Sequence, residues 1–174
     1  ANGADVAAAA KVLVEAKRPV IVAGQGVLYA EASDELVELA ELLQAPVTTP
    51  LEGKSAFPEN HPLALGTGAG VMPRSVHAFL QKADVVFAVG ASLTKHSIVA
   101  APIPAGATII HATNDERDIN KHYATDYPIL GDAKPTLRQF IEAVKDALGK
   151  NQRTPNGIAR EIKQTREGWI SEWM

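Results

Sequence analysis

Ala83-Asp84-Val85-Val86-Phe87-Ala88-Val89-Gly90 is the stretch on which the fold turns, a run of β-branched and aromatic residues closed by a glycine. An unbroken apolar run of this length predicts a strand buried on both faces, the kind found in parallel sheets covered by helices. Three further runs have the same character: Val20-Ile21-Val22-Ala23 between Pro19 and Gly24, Pro46-Val47-Thr48-Thr49, and Thr108-Ile109-Ile110-His111-Ala112. Tyr127-Pro128-Ile129-Leu130-Gly131-Asp132 predicts a fifth strand, peripheral because proline cannot donate to a ladder.

Helical spacing fills the intervals. Val6, Ala9, Leu13 and Ala16 mark a helix from Asp5 to Lys17, and Leu36, Leu39, Ala40 and Leu43 another from Ala30 to Gln44, with Ser33-Asp34-Glu35 in its first turn. Val76, Phe79 and Leu80 predict a helix over Arg74 to Lys82, and Leu137, Phe140, Ile141, Val144 and Leu148 an amphipathic helix ending near Gly149. Gly24-Gln25-Gly26 reads as a turn, and Asn114 to Arg117 as a turn feeding a short helix. The breakers between Pro50 and Pro73 predict a long loop without regular structure, and Ser92 to Ala107 is also loop-like. Five strands alternating with helices predict an α/β fold with a mainly parallel sheet, and such sheets bind ligands beyond the carboxyl ends of their strands.

Composition narrows the chemistry. The 174 residues contain no cysteine, which removes disulfides, thiolate nucleophiles, Cys-ligated zinc and iron–sulfur clusters. A sirtuin-like deacylase, with its four-cysteine zinc module, is excluded on the same ground. The net charge of −3 and the scattered Lys and Arg residues give no nucleic-acid footprint, and no apolar run is long enough for a membrane span. The start, Ala1-Asn2-Gly3-Ala4-Asp5, has no initiator methionine and reads as that of an excised piece in a cytoplasmic setting. A core ending near residue 150 is followed by the polar linker Asn151 to Gly157. Ile158, Ile162, Trp169 and Trp173 then recur at near-helical spacing.

Familiar motifs are present only in part. Gly24-Gln25-Gly26 follows a strand, but Tyr29 stands where the dinucleotide fingerprint needs its third glycine. Gly53-Lys54-Ser55 has the ending of a phosphate loop, but Thr48 occupies the place of its first glycine, and Gly66-Thr67-Gly68-Ala69-Gly70 lacks the ending altogether. His61, His77, His96, His111 and His122 have no metal-ligand spacing, and Ser92 and Ser97 near His96 form no nucleophile elbow. Asn114, Asp115, Asp118 and Asp132 could meet a ribose or an adenine, or could simply cap helices.

The order of these segments carries a resemblance. Arg18-Pro19-Val20-Ile21-Val22-Ala23-Gly24-Gln25-Gly26-Val27, Pro46-Val47-Thr48-Thr49, Gly53-Lys54 through Phe57-Pro58-Glu59-Asn60-His61-Pro62, Ala83 to Gly90, and Pro128-Ile129-Leu130-Gly131-Asp132 resemble the central domain of thiamine-diphosphate-dependent enzymes. This is the acetolactate synthase, pyruvate oxidase and benzoylformate decarboxylase family, and the likeness spans roughly residues 5 to 149. It implies a Rossmann-like, three-layer α/β/α domain with a mainly parallel six-stranded sheet. Residues 1–150 would be the central domain, and 151–174 a linker and helical tail toward a third domain on which the tryptophans would pack.

The resemblance further implies a lyase or transferase parent that uses thiamine diphosphate and magnesium, bound by the two flanking domains at an interface in a homodimer or homotetramer. Gly131-Asp132-Ala133 departs from the family's diphosphate motif and no Asn-Asn pair occurs, so this chain by itself would be non-catalytic. Some members bind FAD or ADP in the central domain, and others leave it empty, with a purely structural role. The matching positions are Gly24, Gln25, Gly26, Leu51, Glu52, Gly66, Gly90, Ala91, Ser92, Asn114, Asp115, Gly131 and Asp132. Ser92 replaces an arginine of the FAD-binding synthases and Thr113 an acid that meets adenosine, and the loss of a charged hydrogen bond at each would weaken FAD binding by about 1.5–3 kcal/mol. The alternative is a stand-alone nucleotide-binding Rossmann-like module.

Overall fold

The computed structural model describes residues 1–68, 73–94, 103–149, 153–155 and 157–172. The readings placed on Gly70, His96, Ser97, Trp173 and the start of the linker lie outside these residues. Helix α1 (Gly3–Glu15) leads into β1 (Pro19–Ala23), followed by α2 (Gln25–Tyr29), α3 (Ser33–Leu43), β2 (Val47–Thr49) and β3 (Ala64–Thr67). The second half runs α4 (Arg74–Gln81), β4 (Val85–Val89), β5 (Thr108–Thr113), β6 (Tyr127–Leu130), α5 (Ala133–Leu148) and α6 (Ile158–Ser171).

Six parallel strands are ordered β3-β2-β1-β4-β5-β6, so the chain starts in the middle, works to one edge, and returns to build the other. Helices cover both faces. Helix α5 packs against both α1 and α3 in one layer, while α4 and α6 pair with each other. Every residue of β4 is buried, which is why it appears in the sequence as a continuous apolar run rather than an alternating one. Phe87 of β4 and Phe140 of α5 are fully buried, with ring centroids 4.6 Å apart.

The structure corrects two readings of the pattern. The stretch from Pro50 to Pro73 is not wholly irregular, because it contains strand β3, and Gln25 to Tyr29 form a short helix rather than a bare turn. Only four residues long, β3 has too few positions for a visible apolar pattern, and it is held largely by its neighbours. Thr48 Oγ1 donates to the Gly66 carbonyl at 2.9 Å, the Thr49 and Thr67 hydroxyls are 3.1 Å apart, and Arg166 of α6 donates to the Ala64 carbonyl at 2.6 Å. Strand β6 lies at the opposite edge, where its proline costs the sheet least.

Helix α6 returns to the body of the domain. The Arg18 guanidinium meets the Glu161 carboxylate through two parallel bonds of 2.9 Å and lies 5.3 Å from the centre of the Phe79 ring. The hydrogen bond from Arg18 holds the Glu161 carboxyl below the usual carboxylate range. Ile158 and Ile162 are buried, Trp169 is half-buried, and Ile170 is exposed. Just before α6, the guanidinium of Arg153 donates to the carbonyls of Val14, Ala16 and Leu43 at 2.6, 2.7 and 2.9 Å, and more weakly to that of Leu13 at 3.4 Å. A side chain of the predicted linker thus joins the ends of α1 and α3.

Candidate functional site

The strand order reverses between β1 and β4, and at such a point in a parallel sheet the connecting turns diverge and leave a crevice beyond the strand ends. A cleft of about 830 Å³ lies there, within the roughly 300–1,000 Å³ of small-molecule sites. Segments that follow all six strands contribute to it: Gly24 to Gly26 after β1, Pro50 to Glu52 after β2, Gly68 after β3, Gly90 to Thr94 after β4, Asn114 and Asp115 after β5, and Gly131 to Ala133 after β6.

Twelve of the thirteen positions singled out in the sequence line this cleft: Gly24, Gln25, Gly26, Leu51, Glu52, Gly90, Ala91, Ser92, Asn114, Asp115, Gly131 and Asp132. Gly66 does not. It lies within β3 at φ +105, its carbonyl taken by Thr48, and Gly68 reaches the cleft in its stead. Tyr29, Thr49, Thr94 and Tyr123 also line the cleft. The rule that ligands bind past the strand ends could have suggested Thr49, but no local motif marks the other three.

The glycines shape the cleft and do not supply its donors. Gly24 N donates to Val89 O, Gly26 N to Gly90 O, Gly90 N to Ala112 O and Gly131 N to Thr113 O, all at 2.9 Å. Each of these N–H groups ties one strand end to its neighbour instead of facing a phosphate. A Cβ on Gly24 would lie 2.2 Å from the Gly90 carbonyl oxygen, and one on Gly90, at φ +59, would lie 2.8 Å from Val27 N. The turns after β1 and β4 therefore interlock backbone against backbone.

The charged side chains of the wall are all acceptors, beside amides and hydroxyls that both donate and accept. Among the described residues the lining carries Glu52, Asp115, Asp118 and Asp132 and no Lys, Arg or His. Asp132 caps α5 by accepting from Lys134 N at 3.2 Å, and Asp115 accepts from Arg117 N at 3.0 Å, so both perform the capping role their sequence positions allowed. The Arg117 guanidinium also grips the Asp115 carboxylate and holds its pKa down to about 2. Thr113 Oγ1 accepts from Asp115 N at 3.2 Å, and the Ser92 and Thr94 hydroxyls are 2.9 Å apart. Among the described residues no group of three His, Cys, Asp or Glu side chains could hold a metal ion.

Beneath the wall, His111 of β5 is only 1% exposed, and its Nε2 lies 2.7 Å from the Ala91 carbonyl oxygen. Burial lowers its pKa from the ordinary 6.5, outweighing the hydrogen bond to Ala91 and the charge of Asp118, which both act to raise it. The unfolded chain thus takes up the proton more readily than the folded one, so stability falls as pH drops below about 6.5 and levels off once the folded-state pKa is passed. His111→Gln is expected to flatten this part of the profile in denaturation curves recorded from pH 7.5 to 5; an unchanged slope would assign it to other groups.

Comparisons with known proteins agree with this architecture. Residues 6–140 match the family model described as the thiamine pyrophosphate enzyme central domain. The chain is 39% identical over 166 residues to a Methanocaldococcus jannaschii protein named "Probable acetolactate synthase large subunit", covering 93% of this chain and 25% of that protein. It is 34% identical over 169 residues to the acetolactate synthase large subunit of Buchnera aphidicola, covering 95% and 27%. The fold is similar to that of a crystal structure of benzoylformate decarboxylase from Polynucleobacter necessarius, with a TM-score of 0.74 at 23% identity, covering 90% of this chain and 29% of that one. The chain therefore spans about a quarter of the length of its acetolactate synthase relatives.

Proposed function

This chain belongs to the thiamine pyrophosphate enzyme central-domain family, and from that premise we propose that it is the non-catalytic central domain of a 2-keto-acid carboligase or decarboxylase of acetolactate synthase type, in which it binds an adenine nucleotide. The observation that carries the binding role is the cleft at the β1–β4 reversal, with every strand end contributing to its wall. Its carboxylates suit the hydroxyls of a ribose and the amino group of an adenine, which are donors. Among the described residues no cation lines the cleft to meet a diphosphate, so the adenosine half of FAD or ADP is the part this wall fits.

Thiamine diphosphate and magnesium do not fit the described residues, which offer neither the diphosphate motif nor a metal-binding cluster. In the proposed parent they belong to the flanking domains, where the cofactor supplies the carbanion chemistry beside a 2-keto-acid carbonyl. The part assigned to this chain is to bind a nucleotide and to space those domains, with α6 leading toward the third of them. The sequence resemblance extends the reading to a cytoplasmic homodimer or homotetramer.

Titration of the chain with adenosine, ADP and FAD in a calorimeter tests the binding role. Saturable heat is expected with ADP at micromolar to millimolar concentrations, accompanied by a rise in melting temperature as ligand adds RT ln(1 + [L]/Kd) to stability. Absence of heat and of any melting shift with all three ligands would leave a purely structural domain. The length of the complete reading frame separates the proposed parent from a stand-alone nucleotide-binding module.

A further inference from the structure

We propose that His111 is a positioning residue for the cleft: by holding the Ala91 carbonyl inside the sheet, it turns the Ser92 N–H outward as a hydrogen-bond donor to an oxygen of the bound nucleotide. The choice of ligand rests on the nucleotide reading above, whereas the positioning itself is a property of the unliganded chain.

The geometry is closely constrained. His111 stands in β5 directly opposite Ala88 of β4, almost wholly shielded from solvent. A carbonyl oxygen only accepts, so the 2.7 Å contact requires that Nε2 carry a proton. Burial favours the neutral ring, whose single proton the contact then places on Nε2. The described chain has no cis peptide bond, and in a planar trans peptide the C=O and N–H vectors are opposed. With the Ala91 carbonyl drawn inward to the imidazole, the Ser92 N–H points the other way, from a residue that is exposed and lines the cleft.

The preceding peptide is fixed independently, because the Gly90 carbonyl accepts from Gly26 N at 2.9 Å. Residues 90 to 92 are therefore held from two sides. The N–H groups of Gly24, Gly26, Gly90 and Gly131 all bond within the protein, so the Ser92 N–H offers the cleft a backbone donor that these glycines do not.

Nuclear magnetic resonance of the 15N-labelled chain tests this. A long-range 1H–15N spectrum is expected to show His111 as the neutral Nε2–H tautomer. In His111→Leu the Ser92 amide resonance is expected to move and its hydrogen exchange to quicken, with ADP binding about three- to tenfold more weakly. His111→Gln, which keeps a side-chain N–H, is expected to restore both, a rescue that space-filling alone would not produce. In the wild type, ADP is expected to shift the Ser92 amide.

An Nδ1–H tautomer overturns the proposal, and so does a folded His111→Leu whose Ser92 amide is unmoved, or ADP that binds without disturbing that amide. Should ADP fail to bind the wild type, the nucleotide reading falls, while the tautomer and the Ser92 amide still decide the positioning role. Should the leucine variant not fold, the wild-type tautomer and the glutamine variant decide it.

Discussion

Gly24→Ala is expected to destabilise the domain by about 3 kcal/mol or more, the upper end for forcing an extra methyl into a packed site. The backbone of Gly24, at φ −94 and ψ −173, suits any residue, so none of this cost is conformational. It arises because the new methyl would lie 2.2 Å from the Gly90 carbonyl oxygen and 2.5 Å from Ala91 Cα, both backbone atoms at the end of the central strand β4. Relief would require β1 and β4 to part at the point where they are hydrogen-bonded through Gly24 N and Val89 O.

Gly168→Ala in α6 provides the contrast. Nothing lies within 4 Å of its added methyl, and the change is expected to stabilise by about 0.5–1 kcal/mol through helix propensity alone. Urea denaturation of the two variants measures both effects. A Gly24→Ala protein as stable as the parent would show that the two turns do not interlock.

Arg153→Met is expected to cost about 3 kcal/mol. It keeps the apolar stem but removes a cation that donates to four carbonyls at the ends of two helices, where hydrogen bonds to a charge and the helix dipole both favour it. Arg153→Lys is expected to recover little, since one ammonium cannot reproduce a fork that reaches Leu43 through one nitrogen and Val14 and Ala16 through the other. Denaturation curves give the loss, and hydrogen exchange locates it, with faster exchange expected in the last turns of α1 and α3. Protection unchanged at those ends would show that Arg153 does not clamp them.

The central strands were legible in the sequence because burial on both faces leaves a short, β-branched apolar run bounded by breakers, as Val85 to Val89 and Val20 to Ala23 show. Strand β3 was not, because Ala64 to Thr67 are held by hydroxyls of β2 and a guanidinium of α6 rather than by an apolar pattern of their own. The turns that line the cleft were readable from their glycines, but what those glycines do was not. Nothing local in Gly24-Gln25-Gly26 tells a loop that receives a phosphate from one that receives the backbone of another strand. Arg153 lay in a segment read as a polar linker, and its partners are main-chain carbonyls, which leave no mark on composition. Gly66 and Gly68 belong to one glycine-rich run, and composition does not tell which of them reaches the cleft.

The carboxylate of Asp84, at the foot of β4, receives the backbone N–H groups of Lys17 and Arg18 just before β1 begins, at 2.7 and 2.9 Å. Arg18 and Asp84 are 66 residues apart in sequence, and closing a loop of that size costs roughly 4 kcal/mol of chain entropy. The middle of the sheet is thus its most distant pairing along the chain, a topology that folds slowly. The first half, through β3, already holds Gly24 to Gly26 and Glu52, yet the cleft has no opposite wall until β4 arrives beside β1. The cleft is therefore completed only when the two halves join, and in the proposed binding role a nucleotide would act as a bolt across that seam, resisting its reopening.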